Sequence, residues 1–226
     1  MPKPAIKIDQ IIRTRRKTIA LIVKRDATLV VRAPLHASDA QIMEMVRKKA
    51  DWIRGKKGWV RANYPKTRQK EYVSGEKFTY LGNVYRVEIV EQARSLLRLE
   101  DKFVLASRAI PKARAVFEAW YRKQARLVIG KRVEWYARKT GLRYNRVKIT
   151  SATTRWGSCS SRGNLNFAWR LVMAPLPVID YVVVHELAHL QERLHSKAFW
   201  LKVKTIMPDY LERKKWLDRN GEEFRL

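Results

Sequence analysis

Apolar positions along the chain change period several times, and each change marks an element. RKTIALIV (16–23) and ATLVVRAP (27–34) are apolar, β-branched runs separated by the charged turn Lys24, Arg25 and Asp26, a pattern that predicts a hairpin. Ser38 and Gln41 form an S-x-x-Q capping box ahead of a helical pattern through Ile42, Met45, Val46, Lys49, Trp52 and Ile53. Gly55 and Gly58 are expected to fray that helix, and Trp52, continuing its apolar stripe, is expected in the core. KFTYLGNVYRVEIVEQ and SLLRLEDKFVLAS then read as strands, with turns at Gly82-Asn83 and around Asp101.

Pro111 opens a long helical stretch, 115–139, that carries Val116, Phe117, Trp120, Leu127, Val128 and Trp135 and stops at Gly141. In RVKITSATTRWGSCSSRGNLNFAWRLVMAP, strand-like pieces flank a Ser/Gly-rich turn, 157–163, and predict a second hairpin ended by Pro175 and Pro177. The fold class is therefore α+β. A basic, β-rich unit with one helix is expected over 1–108 and a second domain over 109–226, with no internal repeat.

With 46% hydrophobic residues, 226 residues can bury a proper core. No apolar run is long enough to span a bilayer, and the start, MPKPAIKIDQ, lacks the pattern of a signal peptide, so no membrane is expected. Cys159 is the single cysteine and has no internal disulfide partner, which fits a cytoplasmic protein. The balance of 49 Lys+Arg against 21 Asp+Glu, a formal +28, suits nucleic acid, anionic lipid or acidic protein. Residues 47–70 hold ten Lys/Arg, one acid, Asp51, and the rings of Trp52, Trp59 and Tyr64. Lys56, Lys57, Trp59, Arg61 and Tyr64 are the candidate nucleic-acid contacts, through phosphate pairing and base stacking. The plainer reading is a solvated helix face.

Three of the four histidines fall within VVVHELAHLQERLHSKAFW, 182–200. On a helix starting near Pro177, Ile179, Val182, Val183, Leu187 and Leu190 form one apolar face, and His185, Glu186 and His189 lie along its edge. HExxH sets two neutral imidazoles at the separation one Zn²⁺ needs, with the carboxylate in reach of a metal-bound water. His195 is the natural third ligand, leaving the open position a catalytic site requires. On a straight helix it would point roughly 120° away from His189 and lie about 9 Å further along the axis. The helix must therefore end between Leu190 and Leu194, and Ser196 reads as the N-cap of a new one. One zinc per chain is expected. The alternative is an amphipathic helix whose histidines satisfy local hydrogen bonds.

HELAH with His195 six residues beyond the second ligand resembles the zincin metallopeptidases. HxxxxxHSxxFW (189–200), TRWGSCSSRGNLNFAWRL (154–171), VVVHELAHL and the upstream YLGNVYRV narrow this: the chain resembles the YgjP-like metallopeptidases, described as predicted metal-dependent hydrolases. The resemblance covers most of the chain and is more specific in its second half. The family is similar to the SprT-like and WLM-type proteases, which act on proteins bound or crosslinked to DNA.

The resemblance implies a zincin-like catalytic domain, a protein or peptide substrate, and DNA or other nucleic acid as a further partner. In the implied reaction Glu186 takes a proton from the zinc-bound water, which attacks the amide carbonyl, and later protonates the leaving amine. Zincins commonly run an edge strand along the substrate, which makes Trp156, Gly157 and Ser158 candidate substrate-binding residues; the other reading of RWGSC is a plain turn. Tyr181 and Tyr210 are near enough in sequence to assist an oxyanion, and packing is the alternative role for both. Cys159 is either an inhibitory thiolate or a small buried residue. The histidine spacing also matches the metzincins, but Glu192 stands where they have glycine, so their turn is not carried over, and Met207-Pro208 is read as core. Two rival functions share these residues: a nucleic-acid-binding protein with a structural zinc, and a zinc hydrolase acting on a non-peptide amide.

Overall fold

The computed structural model describes residues 6–24, 26–63, 70–224 and 226. Contacts divide the chain into two compact units, Met1–Arg68 and Gln69–Leu226. In the first, β2 (Ala20–Val23) and β3 (Leu29–Pro34) form the expected antiparallel hairpin, with Leu21 opposite Val31. A strand that the pattern does not announce, β1 (Gln10–Thr14), runs parallel to β3 on its other side. None of its residues is buried, so it carries no apolar alternation to read.

Leu29, Val31 and Ala33 bury one face of this sheet against Ile42, Val46 and Ile53. Ser38 caps α1 (Asp39–Lys48) reciprocally: its Oγ accepts from Gln41 N at 3.2 Å, and its N–H donates to Gln41 Oε1 at 2.9 Å. The helix does not continue unbroken or fray at the glycines. It ends at Lys49, and α2 (Ala50–Asn63) runs on through Gly55 and Gly58, held by the buried Ile53 and Val60. That break shifts the helical phase, so Ile53 takes the core position and Trp52 is left 49% exposed, contrary to expectation.

The second unit begins with β4 (Lys77–Tyr80), β5 (Asn83–Val90), β6 (Leu97–Leu99) and β7 (Phe103–Ala106), in the order β4-β5-β7-β6. A 3-10 turn, Ser107–Lys112, contains Pro111 and leads into α3 (Ala113–Thr140). Gly141, at φ 69°, ends α3 in the left-handed region that favours glycine. Every fourth residue of α3 is buried, from Ala113 through Phe117, Tyr121, Ala125, Ile129 and Val133 to Ala137.

Phe78 of β4 stacks on Phe117 at 4.2 Å, Phe103 of β7 lies 5.2 Å from the same ring, and Tyr121 Oη donates to Thr79 O at 2.7 Å. The strands over 77–106 thus share one core with α3. Contacts therefore divide the chain after residue 68, whereas the pattern of elements suggested a boundary near 108.

The stretch read as a second hairpin holds three strands: β8 (Arg146–Thr150), β9 (Gly157–Cys159) and β10 (Asn164–Ala168), ordered β8-β10-β9. Only β9 and β10 form a hairpin, and β8 runs parallel to β10. Gly157, expected in a turn, begins an edge strand instead. A further 3-10 turn, Trp169–Met173, leads into α4 (Leu176–Ala188), which is followed by α5 (Lys197–Ile206) and α6 (Tyr210–Asn220).

The entry to α4 is clamped by the β4–β5 turn. Leu81 N donates to Val172 O and Gly82 N to Met173 O, both at 3.0 Å, and a β-carbon at Gly82 would stand 2.8 Å from Pro175 Cγ. Helix α4 is enclosed by the unit: Val178, Ile179, Val182, Val183, Val184 and Leu187 are all buried. Among the described residues no helix is long and apolar enough to cross a membrane.

Candidate metal centre

The last helical residue of α4 is Ala188, and His189 is its C-cap. The exit comes slightly earlier than the expected 190–194, because Leu190 N and Gln191 N turn back to Leu187 O and Ala188 O at 3.0 and 3.2 Å. Ser196 then caps α5, its Oγ accepting from Phe199 N at 3.2 Å. His195 sits in the joint between the two helices. Arg193 pins the joint to the β9–β10 turn, donating to Ser160 O at 2.7 Å and Ser161 O at 2.9 Å.

This break brings the three imidazoles to one point. His195 Nε2 lies 3.0 Å from His185 Nε2 and 3.1 Å from His189 Nε2. Three nitrogens sharing one tetrahedral ion stand about 3.3 Å apart, given metal–nitrogen bonds of about 2.0–2.1 Å. His189 Nδ1 lies 2.9 Å from Glu192 O, the carbonyl contact that directs the other ring nitrogen to the cluster. Among the described residues no other His, Cys, Asp or Glu joins the group. The donor set fits a divalent cation with an open position.

Burial favours the uncharged form of His185 and His189. It pushes the His185 imidazole down to about 3, with His189 and His195 adding like-charge repulsion, and it lowers His189 too, against the opposing effect of the Glu192 carbonyl. Neutral imidazoles are the form a metal needs. Phe199 stacks on His189 at 4.4 Å, and Trp200 stacks on His195 at 5.7 Å, so α5 supplies an aromatic wall that fixes both rings.

Glu186, next to His185 in the chain, is buried, 4% exposed, and its Oε2 has no hydrogen-bond partner. Desolvation pushes its carboxyl up to about 8, opposed by the charge of Arg155. Gly157 lies directly against it: a β-carbon there would stand 2.6 Å from Glu186 Cγ and 2.7 Å from Cδ. Edge strand β9 therefore borders the carboxylate at its one residue without a side chain.

Other candidates lie further from the histidines. Ser158 Oγ accepts from Asn166 Nδ2 at 3.2 Å, on the strand behind it. Trp156 packs on the C-terminal segment, with Phe224 edge-on at 5.9 Å and Gly221 close enough that a β-carbon would stand 2.6 Å from its ring. Tyr210 stacks on Trp200 at 5.5 Å, while Tyr181 is buried and edge-on to His185 at 5.9 Å. The thiol of Cys159 is half-buried and raised by burial, and Met207 is core.

The sequence reading missed the clamp beneath α4. Asp180, 6% exposed in an otherwise apolar run, accepts from Arg132 Nε at 2.6 Å and Nη2 at 2.8 Å, tying α4 to α3. An acid inside IDYVVVHEL was the available signal. Of the basic segment, Lys56 Nζ lies 4.0 Å over the Trp59 ring, Trp59 is 47% exposed and Lys57 pairs with Asp9 at 3.4 Å. Arg61 is exposed near the end of α2, and Tyr64 lies outside the described residues.

No protein of curated function matches the chain significantly. Among solved structures it is similar to the metallopeptidase zymogen of Pyrococcus abyssi abylysin, with 22% identity, a TM-score of 0.37 and coverage of 42% of this chain and 93% of that one. The model of the YgjP-like metallopeptidase domain matches residues 17–220. With that match over nearly its whole length, the chain belongs to the YgjP-like family of metallopeptidase domains.

Proposed function

We propose that this protein is a zinc-dependent peptidase in which His185, His189 and His195 hold the metal and Glu186 is the general base. The observation that carries the reading is the pairing of three converging Nε2 atoms with a buried, unpartnered carboxylate on the helix that bears His185. A structural zinc site has no need of such a carboxylate and usually fills its fourth position with protein. When bound, the ion supplies Lewis acidity and lowers the pKa of water at the site.

The residues divide the remaining work. The imidazoles are held in place by Glu192 O, Phe199 and Trp200. Glu186 accepts a proton from the attacking water and returns it to the leaving amine. The open edge of β9 offers Gly157 for main-chain pairing with an extended peptide. The enclosure of Glu186 by Gly157 and α4 keeps bulk water from its carboxylate.

The basic face of α2, with Lys56, Lys57, Trp59 and Arg61, is assigned to nucleic acid, and its binding should weaken steeply with salt. A lone free cysteine suits a cytoplasmic setting. The deciding experiment compares wild type with Glu186→Gln on a protein substrate, with metal content measured in both. The variant is expected to keep one zinc per chain and lose hydrolysis by at least about a hundredfold. Unchanged cleavage overturns the assignment of Glu186, and absence of zinc binding by the wild type overturns the reading as a whole.

A further inference from the structure

Hydrogen bonding along β9 alternates. Trp156 O accepts from Ala168 N at 2.8 Å, Ser160 N donates to Asn164 O at 2.9 Å, and Ser158 lies opposite Asn166 between them. These residues direct their backbone groups toward β10, so the N–H and C=O of Gly157 and Cys159 face the open edge. Side chains alternate as well. Gly157 touches Glu186 and Cys159 feels its charge, whereas Ser158 pairs with Asn166 and Trp156 packs on Phe224.

Arg155 precedes Gly157 by two residues, across a bend at Trp156, so its backbone lies no more than about 7 Å from the residue that touches Glu186, within reach of an arginine side chain. Its charge acts on Glu186 accordingly. Arg155 is exposed, and among the described residues it makes no hydrogen bond or ion pair. The neighbouring cation, Arg193, is already bonded to Ser160 O and Ser161 O. Beside the candidate reaction centre, then, a planar guanidinium fork stands without a hydrogen-bonded carboxylate.

We propose that Arg155 determines specificity by pairing with an acidic side chain of a peptide substrate, within about two residues of the scissile bond. The inference rests on the peptidase reading. A peptide paired with Gly157 and Cys159 passes within reach of the Arg155 side chain, and docking covers the fork from water, which strengthens a charge-assisted pair.

The test uses matched peptides bearing Glu, Gln or Lys at successive positions, each with a free or an amidated C-terminus. Hydrolysis is measured with the zinc-loaded wild type. Binding is measured by fluorescence anisotropy with zinc-loaded Glu186→Gln, alone and combined with Arg155→Ala, Arg155→Lys or Arg155→Glu, after circular dichroism and zinc content have been matched. Glu peptides are expected to be favoured over Lys peptides by about tenfold, a difference of about 1.4 kcal/mol. Arg155→Ala should bring the ratio near one, Arg155→Glu should invert it, and Arg155→Lys should keep part of it.

An unchanged ratio in Arg155→Ala, or no preference in the parent protein, overturns the proposal. A preference seen only with free C-termini assigns the fork to a terminal carboxylate and overturns the side-chain assignment. If the wild type hydrolyses no peptide, the peptidase reading itself fails, whereas hydrolysis without discrimination removes only the role of Arg155.

Discussion

Gly157 and Glu186 occupy adjoining space: the carboxylate of the HExxH glutamate lies where residue 157 would carry its first side-chain carbon. Gly157→Ala must therefore displace the glutamate or push β9 away from α4. The expected result is full zinc binding, a stability loss of about 1–3 kcal/mol and a hydrolytic rate at least about tenfold lower. Denaturation curves, metal analysis and kinetics on one preparation check the three parts together.

His195 reaches the cluster only through the joint after His189. Its replacement by alanine removes a proposed ligand and leaves His185 on, and His189 at the end of, an intact α4. Because even partners that merely orient ligands change metal affinity by about 10–100-fold, zinc affinity is expected to fall at least about a hundredfold. Chelation of the wild-type protein should lower its melting temperature, since zinc at about a thousand times its Kd stabilises by about 4 kcal/mol. Titration with a competing chelator and thermal melts measure both effects.

Arg132 and Asp180 join α3 to the helix that carries His185 and Glu186. Asp180→Asn leaves the guanidinium with a neutral partner at a mostly buried position, and a cost of about 2–4 kcal/mol is expected. Replacing both residues by apolar ones of similar volume should recover part of the loss. A double-mutant cycle in urea tests this, with additive effects of the two single changes ruling the coupling out.

Asp9, in the first unit, accepts from Leu29 N at 2.6 Å and faces Lys57, and the backbone bond is the main cause of a carboxyl held below its ordinary value of 3.8. A depressed folded-state pKa means that the ionised form stabilises the fold. That contribution is fully present above the ordinary value and is lost as pH falls through the lower folded-state one. Asp9→Asn should therefore flatten the loss of stability on the acid side of that value, as read by circular dichroism from pH 6 downward at about constant ionic strength.

Much of the site was legible because its signals are local. The i, i+4 spacing of His185 and His189, the Ser196 cap and the need for a break before His195 all concern residues within a few turns of each other. The capping box at Ser38 and the hairpin around Asp26 are local in the same way. The exit from α4 was placed slightly too late because the tight turn at Leu190 depends on how His189 caps the helix. Trp52 was misplaced because one residue of broken helix at Lys49 rotates everything after it.

By itself, then, the sequence marked out the three histidines and Glu186 as candidates, the α+β class and the need for a joint, since helical periodicity and caps act over a few residues. Tertiary structure alone decided that the strands over 77–106 share the core of α3, that β1 joins β3, that Asp180 meets Arg132, and that Gly157 comes against Glu186. These relationships link residues tens of positions apart. Their pairing depends on which faces bury together, and that choice is made by the packing of the whole unit.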